Sequence, residues 1–337
     1  MRETFATLTA LVLALLITGV LCASAPEIDD DLFAVRRVFP SIGPGLRAVR
    51  RAGNGNYYVL AGPVGVAIFD ANGKQLSVIG APPPAPVANK AGRAAISSAE
   101  DCDVDAKGNV YIADRGYNLV TEFSPDGQQI RAFPVNSLLS VAVLPDGEVA
   151  VSTLDSTHQV IVYGSDGKVS REFGDFEELS SRPDLDRFLH IGRVSSDPQG
   201  HIYYGFTYSP EPLVRQYDLL GHPAQEFLFT GEDAYPEAST IRKAIERQES
   251  RTEPPSPFFH PVLTAYGVDP VNGDLWMALH NTLLHFDKEG NRASEYQIYA
   301  PKGAPIDATV ILVEEQRLLI GADPLGVYEF HRPDRIR

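Results

Sequence analysis

One phrase recurs along this chain and limits what it can fold into. In its clearest copy, Val104-Asp105-Ala106-Lys107-Gly108-Asn109-Val110-Tyr111-Ile112-Ala113-Asp114 is continued by Asn118-Leu119-Val120-Thr121-Glu122-Phe123-Ser124-Pro125-Asp126-Gly127. Val110 and Ile112 alternate with Tyr111 and Ala113, which suits a pleated strand packed on both faces. Lys107-Gly108-Asn109 and Asp126-Gly127 supply residues that tolerate the positive φ of tight hairpins. Turn residues recur at Gly55, Gly108, Gly147, Gly200 and Gly273, with Gln316 as a degenerate sixth. After each, at a gap of 13 to 17 residues, stands an aromatic: Phe69, Phe123, Tyr163, Tyr217, Phe286 or Phe330. Four residues beyond the aromatic comes Gly73, Gly127, Gly167, Gly221 or Gly290, and only the last copy departs, with Asp334.

Each copy reads as three strands followed by an outer one, such as Ile130 to Val135 in the second. Six units of about 40 residues predict an all-β, six-bladed β-propeller of four-stranded blades over residues 29–334. The sixth unit reaches Arg337 without an outer strand, while Leu32 to Phe39 precedes the first blade with no partner there. The expectation is that this N-terminal strand closes the last blade and joins the two ends of the ring.

Gly108-Asn109-Val110-Tyr111-Ile112-Ala113-Asp114 with Asn118 resembles the NHL-repeat group of six-bladed propellers, in its bacterial exported form. Leu119 departs from the arginine usual there, and the other blades match in outline. The resemblance implies a fold for nearly the whole mature chain. It implies no activity, because propellers host binders, lyases and hydrolases alike.

One propeller accounts for almost all of the 337 residues. Met1-Arg2, an apolar run from Leu8 to Leu21 and Ala23-Ser24-Ala25-Pro26 predict a secretory signal over residues 1–25, cleaved near 22–25. The expected location is therefore periplasmic or extracellular. A retained membrane anchor is disfavoured by the short apolar run, and a lipid anchor on Cys22 by Leu21 before it. Cleavage would leave Cys102 as the one cysteine, so no intramolecular disulfide is expected. Its acidic neighbours Asp101 and Asp103 raise a thiol pKa and argue for an inert thiol. A net charge of −15 offers no attraction for nucleic acid, and no stable membrane insertion is expected after cleavage.

The long inter-blade connections, 81–100, 175–193 and 230–264, all fall on one face, the usual position of a functional site. The longest contains a predicted helix from Pro236 to Arg251, inside an insertion spanning 234–253. Its apolar stripe of Ile241, Ala244 and Ile245 suits either a lid over the axis or an element that seals blade edges.

Aligning the blades brings Arg47, Asp101, Ser140, Arg193, Tyr266 and Asp307 to the starts of the inner strands. The second-to-third-strand loops add Arg115, Tyr117, Asn118, Asp155, His158, Tyr208, His280, Asn281 and Asp323. From these rims, Arg47, Arg115, Tyr117, Asn118, His158, Arg193, Tyr208 and His280 are the expected contacts for a polar small ligand, a peptide or a protein. Arginines would orient it and tyrosines supply apolar area. No cofactor is required by that reading.

The alternative is a metal-dependent lyase or lactonase with a divalent cation, zinc or calcium, held by Asp101, His158 and His280. The peptidyl-hydroxyglycine lyases resemble the second blade in phrase, but three histidines do not match theirs. The gluconolactonase-type acidic motif before a tryptophan is missing, and Trp276 lies inside blade five. A serine-hydrolase elbow of the Gly-x-Ser-x-Gly kind is also absent.

Overall fold

The computed structural model describes residues 31–62, 65–80, 96–230, 237–251 and 260–335. The predicted signal segment, Cys22, Pro82-Pro83-Pro84, Pro236 and Pro254-Pro255 lie outside the described residues.

The described strands form six sheets in ring order, each antiparallel within its four main strands. Blade one runs from Leu46 to Ile79, blade two from Ala99 to Pro134, and blade three from Leu138 to Asp175. Blade four covers Gly192 to Leu228 and blade five Ala265 to Tyr299. Blade six has three strands of its own, Val310–Val313, Arg317–Ala322 and Gly326–His331. Its fourth is the N-terminal strand Arg36–Val38, antiparallel to Gly326–His331 with Arg37 opposite Tyr328. Leu32–Phe33 adds a feature that the repeat did not foretell: it pairs in parallel with the outer strand of blade five. The chain start therefore clasps two blades.

The repeat has a packing explanation. The apolar core divides into clusters between successive blades, and each repeat aromatic enters the cluster shared with the preceding blade. Phe123 joins Leu60, Ile68 and Ile79 of blade one, Tyr163 joins Phe133 of blade two, and Phe330 joins Trp276 of blade five. Phe69 closes the circle beside Val38 and Phe39. Gly127 and Gly221 show why glycine follows four residues later. Both have positive φ, 82° and 89°, and a Cβ on Gly221 would lie 2.4 Å from a ring carbon of Phe173 on the preceding blade. The turn demands a left-handed residue at both, and at Gly221 the neighbouring blade also leaves no room for a side chain.

Many of the acids serve these turns. Asp105 Oδ1 accepts from the N–H groups of Lys107 and Asn109, at 2.9 and 2.8 Å. Asp70, Asp218 and Asp287 do the same before their own turns. Part of the net negative charge is thus local turn chemistry.

Two helices decorate the face with the long connections. Helix α1 (Pro183–Leu189) was not evident in the repeat pattern; proline at its start and Asp184 and Asp186 in its first turn favour it. Helix α2 (Glu237–Glu249) lies within the predicted insertion. Ile241 and Ile245 of α2 pack against Leu185 and Leu189 of α1. Arg182 donates to the carbonyls of Gln248 and Arg251, at 2.7 and 2.9 Å. The apolar stripe of α2 is thereby spent on α1. Among the described residues, none from α2 lines the axial channel. These contacts place α2 against α1. No described helix is long and apolar enough to cross a membrane.

Candidate functional site

The inner strand of each blade has a free edge toward the ring axis, so its N–H and C=O groups need partners from elsewhere. Side chains of neighbouring blades supply them. Asp101 Oδ2 accepts from Val141 N at 3.3 Å, and Asp103 Oδ2 from Val143 N at 2.8 Å. Ser140 Oγ accepts from Val194 N at 2.8 Å, and Ser196 Oγ donates to the Val143 carbonyl at 2.8 Å. Tyr266 Oη bonds the carbonyls of Arg193 and Tyr203 at 2.9 and 3.0 Å. Blades two to five are stitched together in this way around the axis.

Between these strands lies a cavity of about 520 Å³, lined by inner strands of blades one, two, four, five and six. Its depth holds a charged group. Arg50 Nη2 is 3.2 Å from Asp101 Oδ1, and Arg50 Nε is 3.3 Å from Asp103 Oδ1. Burial works to lower the Arg50 pKa, but the two carboxylates outweigh it and hold it above the ordinary value. Burial pushes the carboxyls of Asp101 and Asp103 up from the usual range, against the pull of Arg50 and, for Asp101, of Arg193.

The mouth on the long-connection face is built from Arg47, Arg193, Thr207, Tyr208, Thr264 and Asp323. Arg47 pairs with Glu100. Asp323 Oδ1 is occupied by the N–H groups of Gly45 and Leu46, at 2.6 and 3.3 Å. Tyr208 stacks on Phe188 of α1, with ring centroids 4.5 Å apart, so the helix sets its position. Arg193 is exposed and has no side-chain hydrogen bond or ion pair within 4 Å among the described residues.

Of the eight expected contact residues, Arg47, Arg193 and Tyr208 line the cavity and five do not. Arg115, Tyr117 and Asn118 sit on the exposed loop of blade two. That loop is organised by the buried Asp114, which accepts from the N–H groups of Ser97, Ser98, Gly116 and Tyr117. Asn118 Oδ1 accepts from Ser137 N at 3.2 Å. His158 Nε2 is 3.1 Å from Asp175 Oδ1 on the outer strand of its own blade. His280 is exposed, at a turn with φ of 57°.

Asp101, His158 and His280 do not gather as ligands. Among the described residues, one group of three His, Cys or acidic side chains has the spacing of a metal site, and it is Asp274, His285 and Asp334. That group already satisfies itself. His285 Nε2 is 3.2 Å from Asp274 Oδ2, while Arg332 holds Asp334 with two hydrogen bonds of 3.0 and 2.6 Å.

The repeat alignment missed Arg50, Asp103 and Thr207. Arg50 and Asp103 occupy equivalent positions deep in the inner strands of blades one and two, where the alignment could have placed an arginine opposite an acid. Thr207 sits just before Tyr208 and carried no signal of its own.

No family model and no curated protein matches this chain. Solved structures do. A streptogramin B lyase superposes with a TM-score of 0.52 at 12% identity, covering 88% of this chain and 86% of its own. Hydrazine synthase from Kuenenia stuttgartiensis gives 0.53 at 11%, covering 86% and 96%. The WD40 repeats of RRP9 give 0.53 at 11%, covering 88% and 96%. At such identities these likenesses show the fold alone: the chain is a six-bladed β-propeller with an open axial cavity.

Proposed function

We propose that this propeller binds a small polar ligand carrying a carboxylate or similar anionic group at the channel mouth on the long-connection face. The observation that carries the reading is Arg193, an exposed guanidinium without an ion-pair partner among the described residues, at the rim of a cavity of about 520 Å³. A guanidinium presents a planar fork suited to an oxyanion. Thr207 and Tyr208 line the same cavity, and cavities of this size accommodate metabolite-sized molecules. Arg47, already paired with Glu100, would contribute field more than a direct bond. A peptide with an acidic side chain or free C-terminus fits the same chemistry. No observation favours the metal-dependent lyase or lactonase, since its three ligands stand apart. Export of the protein remains part of this proposal, resting on the predicted leader.

The test is a calorimetric screen of dicarboxylates and short acidic peptides against the full chain, followed by Arg193→Ala. Loss of at least tenfold in affinity for any ligand found is expected. Equal affinity of the variant and the parent would refute the assignment.

A further inference from the structure

The lining of the axial cavity includes a second charged atom without a partner among the described residues, opposite in sign to Arg193. Asp323 follows the second strand of blade six, Arg317–Ala322, on the loop that returns to Gly326–His331. That loop belongs to the long-connection face. Asp323 Oδ1 accepts from the N–H groups of Gly45 and Leu46 at the start of blade one, at 2.6 and 3.3 Å. These two bonds fix the carboxylate across the junction of blades six and one. Asp323 Oδ2 has no hydrogen bond or ion pair among the described residues, and the residue is exposed.

The other charges of the cavity are spent. Arg47 pairs with Glu100, and Arg50 with Asp101 and Asp103. The second oxygens of Asp101 and Asp103 accept from the N–H groups of Val141 and Val143. What remains is the guanidinium of Arg193 on blade four and one carboxylate oxygen of Asp323 on blade six. Blade five stands between them in ring order, and the connection entering it contributes Pro261 and Leu263 to the lining. A ligand with two anionic ends would set one against Asp323, or deeper against Asp101 and Asp103, which outnumber Arg50. Like charges so placed oppose binding.

We infer that the ligand of the axial mouth is a zwitterion, one small molecule whose carboxylate meets Arg193 and whose primary ammonium meets Asp323. The inference rests on the anion-binding reading of Arg193 and adds the sign and the place of a second charge. An ammonium has three N–H donors, and the one given to Asp323 Oδ2 is charge-assisted. The hold of blade one on Oδ1 orients that acceptor before the ligand arrives, which lowers the cost of ordering it. Pro261 and Leu263 offer apolar surface to the carbon chain that joins the two charges. The mouth is open to solvent, so the discrimination against an analogue without the amine is about tenfold, below that of a buried polar site.

The probes are linear ω-amino acids of increasing chain length, with dicarboxylates and diamines of the same lengths, titrated by calorimetry against the full chain. The variants are Arg193→Ala and Asp323→Asn. Asparagine keeps an acceptor oxygen for Gly45 and Leu46, and thermal unfolding checks that the ring is intact. At the best length the parent is expected to bind the amino acid at least tenfold tighter than the dicarboxylate. Asp323→Asn should shrink that preference to below twofold, while Arg193→Ala weakens both. Dicarboxylate binding that needs Arg193 but equals amino-acid binding, or a preference that survives Asp323→Asn, would overturn the zwitterion and leave the anion reading standing. Diamine binding indifferent to Arg193, or no saturable binding in any series, would overturn both.

Discussion

Arg50 Nη2 lies 3.2 Å from Asp101 Oδ1, joining the inner strands of blades one and two at the ring axis. The same arginine reaches Asp103, and both acids reach on to backbone N–H groups of blade three. One guanidinium thereby neutralises two carboxylates that hold three blades together. Arg50→Ala would leave both acids in a poorly solvated site. The expected loss is about 3 kcal/mol, within the range for breaking a buried pair from one side. Urea unfolding measures it, and a loss below about 1 kcal/mol would show the pair to be dispensable.

Ring closure rests on one aromatic side chain, Phe39, as much as on strand pairing. Phe39 is buried, with ring centroids 4.8 Å from Phe69 and 5.2 Å from Tyr57. Phe39→Ala is expected to cost ~3 kcal/mol by opening a cavity between the closing segment and blade one. It should also speed proteolysis of the N-terminal segment, which limited digestion followed by mass spectrometry detects. An unchanged digestion pattern would count against closure at this point.

Asp334 gives the fold part of its acid sensitivity. Burial would raise its pKa, but the hydrogen bonds and charge of Arg332 outweigh that and leave it lowered. A lowered native pKa contributes stability that is present above the unfolded value, about 3.9, and is lost as pH falls through the native value. Asp101 and Asp103 act in the opposite sense. Their native values are raised, so their contribution declines as pH rises from about 3.9 through the native pKa and is level beyond it. Asp334→Asn should therefore flatten the fall in urea midpoint below about pH 4. Parallel midpoint curves for variant and parent would contradict this assignment.

Cys102 should be chemically silent in the native protein. It is fully buried, and burial pushes its thiol pKa up, with Asp101 and Asp103 adding to the rise against Arg50. An aromatic disulfide reagent at mildly alkaline pH should label it only as fast as the protein unfolds. Labelling within the mixing time, without denaturant, would contradict the burial.

How far the sequence speaks depends on the range of the interaction. The turn glycines and repeat aromatics are legible because their roles are local and repeat with the blade. Gly127 needs a left-handed conformation, and Phe123 always meets the preceding blade. The unpaired segment before blade one was legible by subtraction, since blade six lacked a strand. Helix α1 was harder to see because it spans only Pro183 to Leu189 and interrupts no repeat.

The site was legible only in part. Alignment brought Arg47, Arg193 and Tyr208 to the mouth, because residues at equivalent positions in successive blades share a height along the axis. It could not tell Asp101 from Arg193, both polar residues near inner-strand starts. Asp101 is consumed by Arg50 and two backbone N–H groups, whereas the Arg193 side chain has no hydrogen bond or ion pair among the described residues. Nor could it show that His158 turns toward Asp175 or that α2 leans on α1.

The sequence by itself determined the blade, its count and the closing strand, because each follows from turn chemistry and short-range periodicity. Only the tertiary structure decided which polar groups remain free. That depends on partners brought from other blades, as Val141 is to Asp101 and Val194 to Ser140, across separations that no local pattern records.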